Sequence, residues 1–459
     1  MDTKKLRQKI LDLAIHGKLV PQNPNDEPAS VLLERIRAEK ERLIKEGKIK
    51  KSKASKTSDK PHYENVPFEV PEGWSWTSLN SVCTIFGRIG FRGYTKDDLV
   101  DSTGAITLSP SNIVDGVMNF GKCTYISWEK YEESPEIQVQ NEDVLLVKTG
   151  SSYGKCAYVE SLPKEATINP QFVVLKFIGC NPRFLTFCLQ SNYARKQYEE
   201  FVLGTAIPTF TQVALGAMAI PMPPIEEQER IVTEVEKLLT IVDNIEQSKQ
   251  DLSTAISQTK NRILDLAIHG KLVPQDANDE PASELLKRIN PKAEITCDNG
   301  HYQNLPEGWA MCQLEDITNY EQPTAYIVDS TDYDNNYSIP VLTAGKSFII
   351  GYTNETEGIY SNLPCIIFDD FTTDSKLVNF PFKVKSSAMK ILQVRTDIEI
   401  EYVSMFMSVT RLIGDTHKRY WISEYSKLEI PIPPLAEQKR IVDAVHAAFA
   451  KLDAIMESL

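Results

Sequence analysis

A chain of 459 residues is too long to close around one hydrophobic core, so two or three domains are expected. Its 42% hydrophobic and 25% charged content is that of an ordinary folded protein. No apolar run approaches the ~18–20 residues of a bilayer span. The net charge of −13 argues against a chain that neutralises phosphates in bulk by itself, so local basic patches or a basic partner would have to do it.

The opening residues, Met1 to Lys9, are polar and charged, with no secretory apolar stretch after them. Eight cysteines (Cys83, Cys123, Cys156, Cys180, Cys188, Cys297, Cys312 and Cys365) are scattered without a CxxC pair. They read as reduced thiols rather than a disulfide framework or a zinc site, and a cytoplasmic location is expected. Leu6, Ile10 and Leu13 recur at helical spacing. Residues 10–36, ILDLAIHGKLVPQNPNDEPASVLLERI, return at 263–289 as ILDLAIHGKLVPQDANDEPASELLKRI, with 23 of 27 positions identical. In each copy a glycine stop behind a histidine ends one helix, and Pro28 or Pro281 opens a second, short one with Leu-Leu on its apolar face. The repeated His16 and His269 suit a helix C-terminus, where a histidine meets the macrodipole, better than a catalytic role. Residues 35–60 carry 11 Lys/Arg against 4 Asp/Glu, a local +7 that leaves −20 elsewhere. Such a run is a solvated helix face or a linker as readily as a phosphate patch.

Pro71-Glu72-Gly73-Trp74 opens a first insert, residues 75–219, and returns as Pro306-Glu307-Gly308-Trp309 before a second, residues 310–429. The inserts differ in length and share almost no sequence. Apolar or alternating runs at 143–148, 171–178, 365–368 and 389–394 read as strands. One helix is expected near the end of each insert, at about 183–201 and 401–413. After each insert, IPMPPIEEQERIV (220–232) or IPIPPLAEQKRIV (430–442) forces an extended chain and then opens a helix with acidic residues at its start. Ile231, Val235, Leu238, Val242, Ile245, Leu252, Ile256, Ile263 and Leu266 keep a seam at spacings of four and three over residues 226–269, interrupted at Lys249 and Thr259. That length argues for a coiled coil of roughly 65 Å at ~1.5 Å per residue. Ile441, Val445, Ala448, Leu452, Ile455 and Leu459 continue the pattern, so the partner of the central helix is expected from both chain ends. The alignment has a circular character: Leu459 corresponds to Lys249, and Met1 to Thr254.

The expected fold class is therefore α+β. Two mixed α/β domains are joined by long antiparallel coiled-coil-like helices in a pseudo-twofold, circular arrangement. The expected segments are 1–60, helical with a basic linker; 61–220, the first domain; 221–290, the central helical spacer; 291–430, the second domain; and 431–459, a helix pairing with the N-terminal segment.

No chemistry-bearing motif stands out. Residues 150–154 lack the GxxxxGK[ST] of a phosphate loop. Asn169-Pro170-Gln171-Phe172 only faintly resembles the Asn-Pro-Pro-aromatic motif of amino methyltransferases, lacks its second proline, and reads as a turn before a strand. Nucleic-acid chemistry is better represented. Gly87-Arg88-Ile89-Gly90-Phe91-Arg92-Gly93-Tyr94-Thr95-Lys96 offers Arg88, Arg92, Tyr94 and Lys96. The run Lys148-Thr149-Gly150-Ser151-Ser152-Tyr153-Gly154-Lys155 offers backbone amides with Lys148, Ser151, Ser152, Tyr153 and Lys155. In the second insert the nearest equivalents are Ser375 and Lys376 after Thr373-Asp374, and Lys418 and Arg419 within His417-Lys418-Arg419-Tyr420-Trp421. Lysines, hydroxyls and amides suit phosphates, and arginine suits guanine edges. Each loop also reads as an ordinary solvated turn.

The IPxPPxxEQxxIV, PEGW and ILDLAIHGKLVPQ blocks, taken together, resemble the DNA specificity subunits of type I restriction–modification systems. The resemblance covers the scaffold blocks in both halves and leaves the inserts unmatched residue by residue. It implies two target recognition domains, each reading one half of a split, asymmetric site in double-stranded DNA, with the helices as a spacing ruler. It implies partners, namely two methyltransferase subunits and endonuclease/translocase subunits. It further implies that this chain is not an enzyme and binds no cofactor, the S-adenosylmethionine, ATP and Mg chemistry belonging to those partners. The rival readings are a coiled-coil adaptor that binds no nucleic acid and a self-sufficient methyltransferase–nuclease, which the missing adenosyl and methyltransferase motifs oppose.

Overall fold

The computed structural model describes residues 2–49, 68–88, 93–204, 207–297, 305–343, 347–412 and 419–458. The chain divides into two compact units, Met1–Ser248 and Lys249–Leu459.

The first unit opens on helix α1 (Thr3–Ile15), capped by the Asp2 carboxylate on the Lys5 amide. Gly17 stops it at φ +64°, and the Lys18 amide reaches back to the Leu13 carbonyl, the six-to-one bond of a glycine C-terminal stop. His16 sits at the cap, with Nδ1 2.6 Å from the Asp12 carbonyl and its ring stacked on Phe68. Helix α2 (Ala29–Lys45) is 17 residues rather than short, and it takes up much of the basic run. Within it Arg35 pairs with Glu27, Arg42 pairs with Glu39 and Glu46, and Lys40 donates to the Asn80 and Cys83 carbonyls. These cations are spent inside the unit; residues 50–60 of the run lie outside the described residues.

The insert is clasped at its root by a two-stranded ladder, Ser75–Ser78 against Ala219–Met222, with Trp76 opposite Pro221. A proline fits there because the pair has only two strands and leaves one edge without a ladder partner. Above the clasp stands an antiparallel four-stranded sheet in the order β3–β2–β4–β1, with β1 (Thr84–Gly87), β2 (Val144–Val147), β3 (Cys156–Tyr158) and β4 (Phe172–Lys176). A second, five-stranded sheet contains one parallel pair, Ala166–Ile168 beside Ala105–Leu108. The β2 and β4 strands are buried on both faces, which is why they read as continuous apolar runs. Where the sequence predicts one helix over 183–201 there are two, α3 (Pro182–Gln190) and α4 (Asn192–Phe201). Ser191, extended at φ −72° and ψ 159°, ends the first and caps the second through its hydroxyl on the Ala194 amide. Serine competes with the backbone in this way, and the apolar periodicity does not reveal it.

Helix α5 (Ile225–Ile268) starts after Pro223-Pro224 with Glu226 and Glu227 in its first turn and runs through the boundary between the units. In the first unit it packs antiparallel on α1: Ile10, Leu11, Ala14 and Ile15 meet Ile231, Val232, Val235 and Val242, and Arg7 pairs with Asp243. In its middle the seam thins, and Leu252 is exposed.

The second unit repeats the plan. Leu264, Ala267 and Ile268 of α5 pack on Ile441, Val442 and Val445 of the antiparallel helix α8 (Leu435–Glu457), with Lys260 2.6 Å from Asp453. Helix α6 (Ala282–Ile289) follows the Gly270 stop. A ladder of Ala310–Gln313 against Glu429–Ile432 clasps the insert. The sheet order is β7–β6–β8–β5, with β5 (Thr318–Glu321), β6 (Cys365–Asp369), β7 (Ser375–Val378) and β8 (Met389–Val394). The smaller second sheet, of three strands, again holds one parallel pair, Ile339–Leu342 with Lys383–Val384. Helix α7 (Ile400–Val409) ends short of the expected 413, a position outside the described residues. The four-stranded sheets of the two inserts, unlike in sequence, therefore share one strand order. Among the described residues no helix is long and apolar enough to cross a membrane.

Candidate nucleic-acid interface

Strand register brings three segments of the first insert to one end of its sheet. Gly87 lies opposite Val173, Phe172 opposite Val147, and Cys156 opposite Leu146. The chain leaving β1, the β2–β3 turn (148–155) and the start of β4 therefore share an edge. The return segment after α4 docks on the same edge. The Gly150 amide donates to the Pro208 carbonyl (2.9 Å), the Phe210 amide donates to the Lys148 carbonyl (3.2 Å), and the Thr149 and Thr209 hydroxyls meet at 2.9 Å.

On this edge Ser151 and Lys155 are exposed, while Lys148, Ser152 and Tyr153 are half-buried. Burial lowers the Lys148 ammonium pKa from its ordinary value. Tyr153 stands edge-on to Phe210. The amides of Gly150, Tyr153, Gly154 and Lys155 are already bonded to carbonyls of the insert, so the loop offers hydroxyls and ammoniums more than the expected row of amides. Gly154, at φ +83°, lies where a Cβ would come within 2.9 Å of the Tyr198 ring, which holds the turn against the core.

Arg88 corrects the sequence expectation. It is 2% exposed, with Nε donating to the Ile168 carbonyl at 3.0 Å and Nη2 to the Thr167 hydroxyl at 3.2 Å, and its guanidinium lies over the Tyr94 ring. Burial lowers its pKa. It ties β1 to the second sheet rather than facing outward. The glycine-flanked run gives no sign of this, because a basic residue one position past a strand is on the surface in most proteins. Tyr94 is half-buried, Lys96 is exposed in a 3₁₀ turn capped by Thr95, and Arg92 lies outside the described residues. Asn169 does make the turn expected of it: its side-chain oxygen accepts from the Gln171 amide just before β4.

The second insert presents the equivalent edge. Asp369 lies opposite Met389, Phe368 opposite Ser375, and Glu321 opposite Ile391, so the β6–β7 turn (370–374) occupies the place of 148–155. Lys376 is exposed with its ammonium 4.5 Å from the centroid of the Phe348 ring, and Ser375 is half-buried. The return segment docks here too. The Thr373 hydroxyl accepts from the Leu412 amide at 3.2 Å, Arg411 reaches Asp374 at 2.7 Å, and the Tyr420 amide donates to the Asp370 carbonyl at 2.9 Å. Arg419 is exposed, 5.8 Å from the centroid of the Phe371 ring. Tyr420 and Trp421, next to it in the chain, are 4% and 2% exposed and belong to the core with Phe368 and Tyr425. Their apolar rings are worth more there than at the surface. Lys418 lies outside the described residues.

Beneath each insert the repeated scaffold blocks build the same junction. The Trp74 indole donates to Glu227 and Gln22 donates to the other carboxylate oxygen; Trp309, Glu437 and Gln275 repeat this. Arg230 pairs with Asp26 and Arg440 with Asp279.

Comparison with known proteins bears on this arrangement directly. The family model described as the type I restriction modification DNA specificity domain matches twice, at residues 71–254 and 306–459. Each match begins at a Pro-Glu-Gly-Trp. The specificity subunit of type I restriction enzyme EcoAI from Escherichia coli is 31% identical over an alignment covering 92% of this chain and 81% of that protein. The EcoR124I/EcoR124II specificity subunit from Escherichia coli is 50% identical over 31% of this chain and 39% of that protein. Among solved structures, a chain from a study of type I R-M complex assembly and conformational transition aligns with TM-score 0.57 at 18% identity, covering 85% of this chain and 94% of that one. That last likeness is one of fold.

Proposed function

The chain belongs to the DNA specificity subunits of type I restriction–modification systems, which are not themselves catalytic, and from that premise we propose how its parts divide the work. Two target recognition domains, residues 61–220 and 291–430, each read one half of a split site in double-stranded DNA. The observation that carries this is the recurrence of one loop-bearing sheet edge on two inserts of unlike sequence. Equal scaffolds with unequal loops suit an asymmetric site, whereas equal loops would read a palindrome.

In the first domain, Lys155, Ser151 and Lys96 serve phosphates, with Lys148, Ser152, Tyr153, Tyr94 and Arg92 nearer the bases. In the second, Lys376 and Ser375 serve phosphates and Arg419, with Lys418, reads a base edge. Helices α1, α5 and α8 set the distance between the half-sites. The repeated scaffold offers equivalent seats to two methyltransferase subunits, and endonuclease/translocase subunits join that assembly. S-adenosylmethionine, ATP and Mg are used by those partners. The acidic chain then needs the partners' cations for much of the phosphate contact.

Mapping methylated adenines in cells carrying the partner subunits tests the reading. A split site with two unlike halves is expected, and replacing one insert should change one half only. A palindromic or continuous site would overturn it.

A further inference from the structure

Asp370 and Lys390 are the most deeply buried ion pair among the described residues, each side chain 1% exposed and the charged atoms 3.1 Å apart. The pair lies beneath the sheet edge that carries Arg419. Asp370 opens the β6–β7 turn, and Lys390 is the second residue of β8. The carboxylate is shared. Oδ2 faces the ammonium, Oδ1 accepts the Trp421 amide at 2.8 Å, and the Asp370 carbonyl accepts the Tyr420 amide at 2.9 Å. The Lys390 ammonium also lies over the Tyr320 ring of β5, and Tyr320 stands edge-on to Trp421. Three segments meeting at the edge are thus fixed by one carboxylate: the turn, β8 and the return segment.

Two features make this more than packing. A buried ion pair is a poor source of stability compared with apolar side chains of the same volume, so its presence calls for another explanation. The turn that it anchors also holds a strained residue, since Thr373 is β-branched at φ +58°, and its hydroxyl takes the Leu412 amide. The return segment is therefore gripped at residue 412 and again at 420–421. The first insert grips its own return segment differently, through the Thr149–Thr209 hydroxyls and backbone bonds.

We propose that Asp370, oriented by Lys390, is the positioning residue of the second recognition domain, holding the segment that presents Arg419 to DNA. The proposal rests on the recognition reading above and adds to it the part that keeps one reader loop in register.

The test uses the full complex with partner subunits. Asp370→Asn alone strands a buried ammonium and can simply unfold the domain, so the decisive variant is Asp370→Asn with Lys390→Met, which removes both charges. Amide exchange at Tyr420 and Trp421 should accelerate while the rest of the second unit keeps its protection. Discrimination at one half of the methylated site should fall about tenfold, the size of one lost base contact, with the other half unchanged. Arg419→Ala should relax the same half without changing exchange at 420–421. Faster exchange with both halves read as in the wild type overturns the proposal. So does relaxation of both halves, or relaxation that disappears at a temperature where the double variant is fully folded. A wild-type complex that methylates no split site would instead defeat the recognition reading itself.

Discussion

Trp309 donates its indole N–H to Glu437 at 3.1 Å, with both side chains buried and the two residues 128 positions apart in the chain. The bond closes the second insert onto the helix that follows it, as Trp74 and Glu227 close the first. Burial is the largest influence on the Glu437 carboxyl and raises its pKa above the ordinary 4.5. The folded protein therefore holds a proton that the unfolded chain has lost. Stability falls as pH rises from about 4.5 through the folded pKa and is level above it. Glu437→Gln removes this dependence. The difference in urea midpoint between wild type and variant should decline across that window and then flatten; a difference constant with pH would reject burial as the cause.

Gly270 sits at φ +63° with the place of a Cβ 2.3 Å from Pro306 Cγ, and Gly17 repeats this against Pro71. Gly270→Ala should cost about 2–4 kcal/mol, combining the left-handed backbone penalty with overpacking. Gly47 has φ +73° but nothing within 4 Å of its Cβ position, so Gly47→Ala should cost only about 1 kcal/mol. Urea unfolding of the two variants separates the two effects.

The scaffold is legible in the sequence because its parts are local and duplicated. Glycine stops, proline starts and a seam of apolar residues at helical spacing need no tertiary information, and the second copy checks the first. The inserts are legible only as strands. That β2 and β6 hold the same place in their sheets is invisible, because equivalent positions such as Val144 and Ile366 obey only the requirement of burial. The candidate loops are found by composition, and five of their named residues (Ser151, Lys155, Lys96, Lys376 and Arg419) are exposed. Composition cannot separate Arg419, on the surface, from Arg88, inside, since burial is decided by what approaches from elsewhere in the chain.

Arg88→Ala accordingly should act on stability. It leaves the Ile168 carbonyl and Thr167 hydroxyl without this donor, at a cost of about 1–3 kcal/mol. At temperatures where the variant is folded, the methylated site should be unchanged. A relaxed half-site in a fully folded Arg88→Ala protein would return this residue to the DNA surface.

Lys155 is exposed at the β2–β3 turn and suits a phosphate. Lys155→Ala should weaken binding of the assembled complex equally to matched and mismatched DNA. The slope of log K against log salt should become shallower by about 1. A loss confined to matched DNA, with the slope kept, would make Lys155 a base reader instead.

The last prediction concerns distance. Helix α5 has 44 residues, about 66 Å at ~1.5 Å per residue, and its seam is thinnest around Leu252, where little packing opposes a change of length. Seven residues inserted between Lys249 and Ser253 complete one heptad. They turn the following seam by only about 20° and lengthen the helix by about 10 Å, roughly three base pairs of B-form DNA. If α5 sets the half-site separation, the methylated site should gain spacing, or methylation should be lost, while both half-site sequences stay as they were. Inserting two residues rotates the following seam by about 200° and should abolish recognition through misfacing rather than through length. Sites mapped with the seven-residue variant decide the matter: unchanged spacing with intact methylation would remove α5 from the ruler, leaving the spacing to the partners.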